Sequence, residues 1–298
     1  MNELDCCKLC PRLCKVNRNN EELGFCKASN KIKIARYSLH FWEEPCLSGK
    51  NGSGTIFFSN CNLKCIYCQN YNISTKNCGK EISIEKFANI CINLQNMGAL
   101  NINLVTPTHF IPLIRDGLQL AKKMGLNIPI IYNTSSYENV ETLKTLEGIV
   151  DIYLPDLKYF DNYLGEKLSM ADNYFEIAKN AIDEMVRQVG SPKFKNGIMT
   201  KGVIVRHLLL PKHVEDSKKI ISYLYKQYKD DIYISIMNQY TPIRKFDDFS
   251  ELNDTVSEDE YDSLINFACD LGVTNAFIQE GETQKESFIP DFSHFDEI

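Results

Sequence analysis

The chain has 298 residues, 44% hydrophobic and 24% charged, with a formal net charge of -6 and a pI near 5.5. This suits a globular protein of one large domain or two small ones, and it argues against a broad nucleic-acid-binding face. No apolar run approaches bilayer length, and the opening MNELDCCKLCPRLCK has no signal-peptide core, so a cytoplasmic protein with no membrane or nucleic-acid partner is expected.

Twelve cysteines in a reducing compartment point to metal or catalysis rather than disulfides. Residues 1–50 hold Cys6, Cys7, Cys10, Cys14, Cys26 and Cys46 and lack periodic apolar segments. They read as a small metal-stapled module, since so short a stretch can bury little core. Cys7, Cys10, Cys14 and Cys26 could close a tetrahedral zinc site or hold an iron–sulfur cluster, and spacing alone does not choose. Gly24 suits a turn that returns Cys26 to the others. Thiolates there would account for the interleaved Lys8, Arg12 and Lys15. In HFWEEP, His40, Glu43 and Glu44 read either as substrate contacts or as bystanders, with solvated glutamates beside packed Phe41 and Trp42.

From residue 51 the pattern becomes βα. GTIFFSN (54–60) reads as a buried strand ending at a cysteine triplet. Ser83 caps a helix whose apolar residues recur at helical spacing up to Gly98. Further strands follow at 101–105, 128–132, 150–154, 203–210 and 232–237, with helices between them. Ser257 and Glu260 have capping-box spacing, and 275–279 reads as a last strand. Cys91 and Cys269 fall on apolar helix faces and read as core. Six such units predict an α/β fold with a parallel sheet. The expected form is a partial (βα)6 TIM-type barrel over 51–298, the alternative being an open doubly wound sheet. Either form gathers function at the C-terminal strand ends.

The triplet is Cys61, Cys65 and Cys68, in CNLKCIYC. Three thiols on a four-iron cubane leave one iron without a protein ligand, free to bind a small molecule. The alternative is a structural zinc site with a distant fourth ligand. CNLKCIYC resembles the radical S-adenosylmethionine (radical SAM) signature, including an aromatic residue, Tyr67, before the third cysteine. Along most of the chain, through CPRLCKVNR, HFWEEP, NINLVTPTHF, YNTSSYE, DIYLPDLKY, VRHLLLP and IQEG, the sequence is similar to the pyruvate formate-lyase activating enzyme-like radical SAM proteins. It also resembles the radical SAM member of the AmmeMemoRadiSam group, whose pattern favours Cys7 over Cys6.

The resemblance implies a 4Fe–4S cluster on Cys61, Cys65 and Cys68 and S-adenosylmethionine (SAM) on its open iron. Reductive cleavage of SAM would give a 5′-deoxyadenosyl radical that abstracts hydrogen from a protein backbone, as for glycyl-radical enzymes, or from a small molecule. It implies an electron donor such as flavodoxin or ferredoxin. Tyr67, Thr106, Asn133, Ser135, Lys158 and Arg206 are carried over as SAM-pocket residues, with Gln239 as a looser candidate. Thr106 stands in TPTH, where activating enzymes have a glycine-rich motif; His109 there would cap the next helix or meet substrate. Asn133 and Ser135 also suit a plain turn, and Asp156 with Lys158 an ordinary salt bridge. The competing function is a zinc-binding adaptor that does not cleave SAM.

Overall fold

The computed structural model describes residues 3–279. Its strands are β1 (Ile32–His40), β2 (Ser53–Phe58), β3 (Lys80–Ile82), β4 (Ile102–Val105), β5 (Ile130–Thr134), β6 (Ile152–Pro155), β7 (Lys193–Lys195), β8 (Ile198–Leu208), β9 (Tyr233–Met237) and β10 (Ala276–Ile278). Its helices are α1 (Pro45–Ser48), α2 (Tyr71–Ser74), α3 (Ile84–Asn96), α4 (Ile111–Lys123), α5 (Val140–Lys144), α6 (Asn162–Ser169), α7 (Tyr174–Val189), α8 (Val214–Tyr228) and α9 (Glu258–Leu271). The Ser83 cap and the Ser257–Glu260 capping box both form.

One sheet runs β10-β9-β8-β6-β5-β4-β2-β1-β3, and every pair from β2 to β10 along this path is parallel. These strands stand in sequence order with no reversal. Right-handed crossovers then keep the helices that link the parallel strands on one face, and the sheet curls into a part-barrel. A doubly wound sheet would reverse direction at a switch point. The curl stays open, because β10 and β3 are its two ends.

β1 was not expected. It lies within the stretch read as lacking periodic apolar segments, yet it pairs antiparallel with β2 and with β3, extending the sheet. Its sequence IKIARYSLH alternates only loosely, and its second half is half-buried, as suits a strand near an edge.

Alternation along the strands divides the core in two. Ile130, Tyr132, Tyr153, Val203 and Val205 face the helices in the large outer core. Ile131, Ile152, Leu154 and Ile204 face the inside, where Cys46 and Leu47 of α1 and Met199 cover them. Further along each strand the inside positions turn polar: Asn133, Asp156, Arg206 and Ser235 line a cavity there. The barrel interior is thus plugged with apolar side chains at one end and open and polar at the other. Cys91 is fully buried as expected, whereas Cys269 is exposed on the far side of α9. Among the described residues, no helix is long and apolar enough to cross a membrane.

α3 and α4 pack closely through Gly117. A Cβ there would lie 2.4 Å from the ring of Phe87, which is fully buried and cannot swing aside. Gly117→Ala should therefore destabilise the protein by about 1–3 kcal/mol, although alanine is the better helix former. Chemical denaturation measures it; a stabilised variant would contradict this packing.

Candidate active site

The cysteine triplet lies in the loop that leaves β2. This loop has no helix or strand of its own to hold it. It is fixed instead by the end of α6: the Lys64 N–H donates to the Ser169 carbonyl at 3.1 Å, and the Ile66 N–H to Leu168 at 2.9 Å. Those carbonyls belong to the last turn of a helix, which lacks partners of its own. Each thiol also has a hydrogen-bonding neighbour. The Leu63 N–H donates to Cys61 Sγ at 3.3 Å, the Ser169 hydroxyl donates to Cys65 Sγ at 2.9 Å, and Cys68 Sγ lies 3.3 Å from Ser74 Oγ. Burial, with Cys65 next in weight, pushes the Cys61 thiol up to about 12. Burial raises Cys65 to about 11, opposed by the nearby Lys158 ammonium.

All three cysteines line a cavity of about 380 Å³ at the C-terminal ends of the strands. Among the described residues, no three His, Cys, Asp or Glu side chains converge as ligands of one metal ion must. A cubane takes one thiolate per iron, so its ligands stand around it rather than meeting at a point. Three soft sulfurs on one cavity wall, each with a donor or hydroxyl beside it, fit such a cluster better than a lone zinc.

Tyr67, Thr106, Asn133, Ser135, Lys158, Arg206 and Gln239 line the same cavity. Lys158 reaches it from just past β6, with its Nζ 2.6 Å from the Asp156 carboxylate. Burial opposes its charge, but Asp156 and Cys65 more than offset this and hold its pKa well above the usual lysine range. The Lys158 backbone N–H donates to the Tyr174 hydroxyl at 3.0 Å, which pins the strand end. Thr106 adopts φ +59°, the left-handed region that glycine favours and that is costly for a β-branched residue.

Arg206 does not stand free in the cavity. Its Nε donates to Glu44 at 2.8 Å, and its Nη2 to both Glu43 and Glu44. Glu43 also accepts from Asn103 at 2.7 Å. Both glutamate side chains are buried, so the reading of them as solvated is overturned. Burial opposes ionisation of Glu44, but the guanidinium holds its pKa below the usual value. Removing one member of so buried a group would strand a charge, at a cost of about 3–5 kcal/mol. Among the described residues no hydrogen bond uses Arg206 Nη1, which leaves that nitrogen for the cavity.

His109 turns away from the cavity. It is buried beneath the N-terminal segment, where its Nε2 lies 2.8 Å from the Ser59 carbonyl. It lines a small enclosed space together with Cys7, Cys10, Cys14 and Cys26. Gly24 backs directly onto Cys14, since a Cβ there would fall 2.9 Å from Cys14 Sγ. This segment sits on the loops that follow the strands. Arg12 donates to the Asn62 carbonyl at 3.0 Å, Arg18 to the His109 carbonyl at 2.6 Å, and Asn139 to the Lys8 carbonyl at 3.0 Å. Arg12 also stacks on Phe25, 3.8 Å from the ring centre. Arg12 also lines the space shared by Cys7, Cys10, Cys14 and Cys26.

Beneath these loops lies Glu138, a residue that sequence reasoning passed over. Its Oε1 accepts from the hydroxyls of Thr108 at 2.6 Å, Tyr132 at 3.1 Å and Thr134, tying the loop after β4 to the end of β5. Its buried Oε2 has no partner. Burial raises its pKa to about 7, against the three hydroxyls that lower it. The folded protein therefore holds a proton that the unfolded chain releases above about pH 4.5. The resulting stability is complete below that pH and is lost as pH rises through 7, an effect on the order of 3 kcal/mol. Glu138→Gln should unfold later than the wild type at pH 8, with the gap closing by pH 5. Thermal melts across that range check this; a gap that widens toward acid would contradict it.

Ser169 and Tyr159, which support Cys65 and Tyr67, were also missed, and no spacing rule points to them. The pairing of Glu43 and Glu44 with Arg206 had a signal in HFWEEP, but nothing named its partner. The end of the IQEG stretch, Glu280 and Gly281, lies outside the described residues.

A parallel part-barrel with a thiol triplet over its first parallel strand now has relatives to be compared with. The model of the Radical SAM superfamily matches residues 55–236. The chain belongs to the radical SAM superfamily, whose members use SAM with a 4Fe–4S cluster. It is 33% identical over 281 residues to an uncharacterized protein of Methanocaldococcus jannaschii, covering 88% of this chain and 74% of that one. Its fold is similar to a radical SAM methyltransferase from Sphaerobacter thermophilus, with a TM-score of 0.53, 13% identity, and coverage of 76% of this chain and 66% of the other. It is also similar to Streptococcus suis SuiB bound to S-adenosylmethionine, with a TM-score of 0.52, 11% identity, and coverage of 75% and 49%. The chain spans about half the length of SuiB, and at these identities the likeness is one of fold.

Proposed function

We propose that Cys61, Cys65 and Cys68 hold a 4Fe–4S cluster and that the protein cleaves SAM to start hydrogen abstraction from a substrate in the same cavity. The observation that carries this reading is the three thiols on one wall of a cavity that Lys158 and Arg206 also line. The cluster, when bound, supplies the electron that splits SAM into methionine and a 5′-deoxyadenosyl radical. The chain's part is to bind, aim and shield. Lys158, held at 2.6 Å by Asp156, offers a fixed ammonium to a carboxylate or a ribose hydroxyl. Arg206, braced by two glutamates, offers Nη1 from β8, the strand next to β6. Asn133, Ser135 and the Thr106 loop supply neutral polar groups at the ends of β4 and β5. Phe57, Val105, Leu208 and Met237 add apolar wall that keeps water from a reactive intermediate. Reduction would come from a small redox protein such as flavodoxin or ferredoxin. We assign the hydrogen donor only as a protein backbone or a small organic molecule.

Anaerobic reconstitution with iron and sulfide, followed by reduction and addition of SAM, tests this. Wild type should release 5′-deoxyadenosine, and Cys65→Ala should fall to background. A reducible cluster that yields no product would contradict the reading, and so would full product from Cys65→Ala.

Cys7, Cys10, Cys14 and Cys26 are proposed as a second metal site, for zinc or an iron–sulfur cluster; as placed they too do not converge as the ligands of one ion must, which favours the cluster. Their support is the enclosed space they share and the close backing of Cys14 by Gly24. Full-length protein with Cys61, Cys65 and Cys68 all changed to alanine should still carry bound metal, and its elemental analysis names which. Metal-free protein would overturn the second site.

A further inference from the structure

Cys65 differs from the other two thiols in what lies behind its hydrogen bond. Ser169 Oγ is 2.9 Å from Cys65 Sγ, Tyr159 Oη is 2.7 Å from Ser169 Oγ, and the Tyr67 hydroxyl meets the Tyr159 hydroxyl. Each of these hydroxyls has one proton to give. A thiolate can only accept, so the Ser169 proton is committed to the sulfur. Ser169 must then accept from Tyr159, and Tyr159 from Tyr67. The direction of the whole chain is set by its last member. Ser169 and Tyr159 are essentially inaccessible and Tyr67 is buried, so water does not compete at any link. In such surroundings successive hydrogen bonds polarise one another and strengthen the last one.

Behind Cys68 stands a longer and less buried relay, in which Thr75 Oγ1 lies 3.4 Å from Ser74 Oγ, and behind Cys61 a single backbone N–H. Their hydrogen-bonding neighbours, the Leu63 N–H and Ser74 Oγ, lie at 3.3 Å. Ser169 is also fixed in place by its backbone, because its carbonyl accepts from Lys64 in the cysteine loop at 3.1 Å. The same residue therefore clamps the loop with its main chain and addresses the sulfur with its side chain.

We propose that Tyr67, Tyr159 and Ser169 form an oriented hydroxyl chain that donates into Cys65 and raises the reduction potential of the cluster. This rests on the reading of Cys65 as a cluster ligand. Hydrogen bonds to cluster sulfurs stabilise the more negative, reduced state and make reduction easier. Ser169 and Tyr159 are positioning residues in this account: they act on the electron-accepting group through Cys65. Tyr67 has a structural part at the far end of the chain in addition to its place on the cavity wall.

The test is a redox titration of the reconstituted full-length protein, followed by the electron paramagnetic resonance signal of the reduced cluster. Ser169→Ala should shift the midpoint to lower potential, and Tyr159→Phe and Tyr67→Phe should shift it the same way by successively smaller amounts. Ser169→Thr, which keeps the hydroxyl, should restore most of the shift. The double variant Ser169→Ala with Tyr159→Phe should match Ser169→Ala alone, because the tyrosine acts through the serine. An intact cluster signal with unmoved potentials in Tyr159→Phe and Ser169→Ala would overturn the chain. So would additive shifts in the double variant. A wild-type protein that assembles no cluster would overturn this inference together with the proposed function, whereas unmoved potentials overturn the inference alone.

Discussion

A parallel strand buried on both faces can offer chemistry only where it ends, and that constraint shapes this molecule. β2 and β6 are buried at every position, and β4 at all but its last. Seven parallel strands in sequence order bring seven C-terminal ends to one rim. The inside of the barrel is sealed at the opposite end by Leu47, Ile131, Ile152 and Ile204. Polar groups therefore collect at the rim, and the rim is where the thiol triplet, Lys158 and Arg206 meet.

The rim loops need support, because they carry irregular backbone. α6 supplies it by accepting Lys64 and Ile66 on its last carbonyls. Glu138 supplies it from below, by gathering hydroxyls from two strand ends. The N-terminal segment supplies it from above, through Arg12 on Asn62 and Arg18 on His109. That segment is thus a cover for the loops as well as a bearer of cysteines. Glu43 and Glu44, at the junction between segment and barrel, brace the arginine that faces the cavity. Position at the rim and precision at the rim come from different parts of the chain.

Much of this was legible in the sequence where spacing is local. The βα alternation showed in apolar runs and in caps such as Ser83 and Ser257, and the triplet carried its own signature. The barrel and the doubly wound sheet differ only in strand order, which periodicity does not encode. β1 escaped notice because IKIARYSLH is half-buried and carries Lys33 and Arg36, so it lacks the apolar run that marked the parallel strands. The site's supporting contacts were illegible for a different reason. Arg206 and Glu44 lie 162 residues apart, and Ser169 and Cys65 lie 104 apart. Such pairs are set by the fold, and no interval along the chain announces them. His109 shows the converse, a residue beside a motif that the fold turns the other way.

The central claim is that three thiols are enough because one iron is meant to be left open. Mössbauer spectroscopy of the protein reconstituted with iron-57, recorded with and without SAM, addresses it directly. The account predicts a cubane cluster in which SAM changes the isomer shift and quadrupole splitting of a single iron. A spectrum that SAM leaves unchanged, or one in which every iron already has a thiolate-like environment, would contradict it.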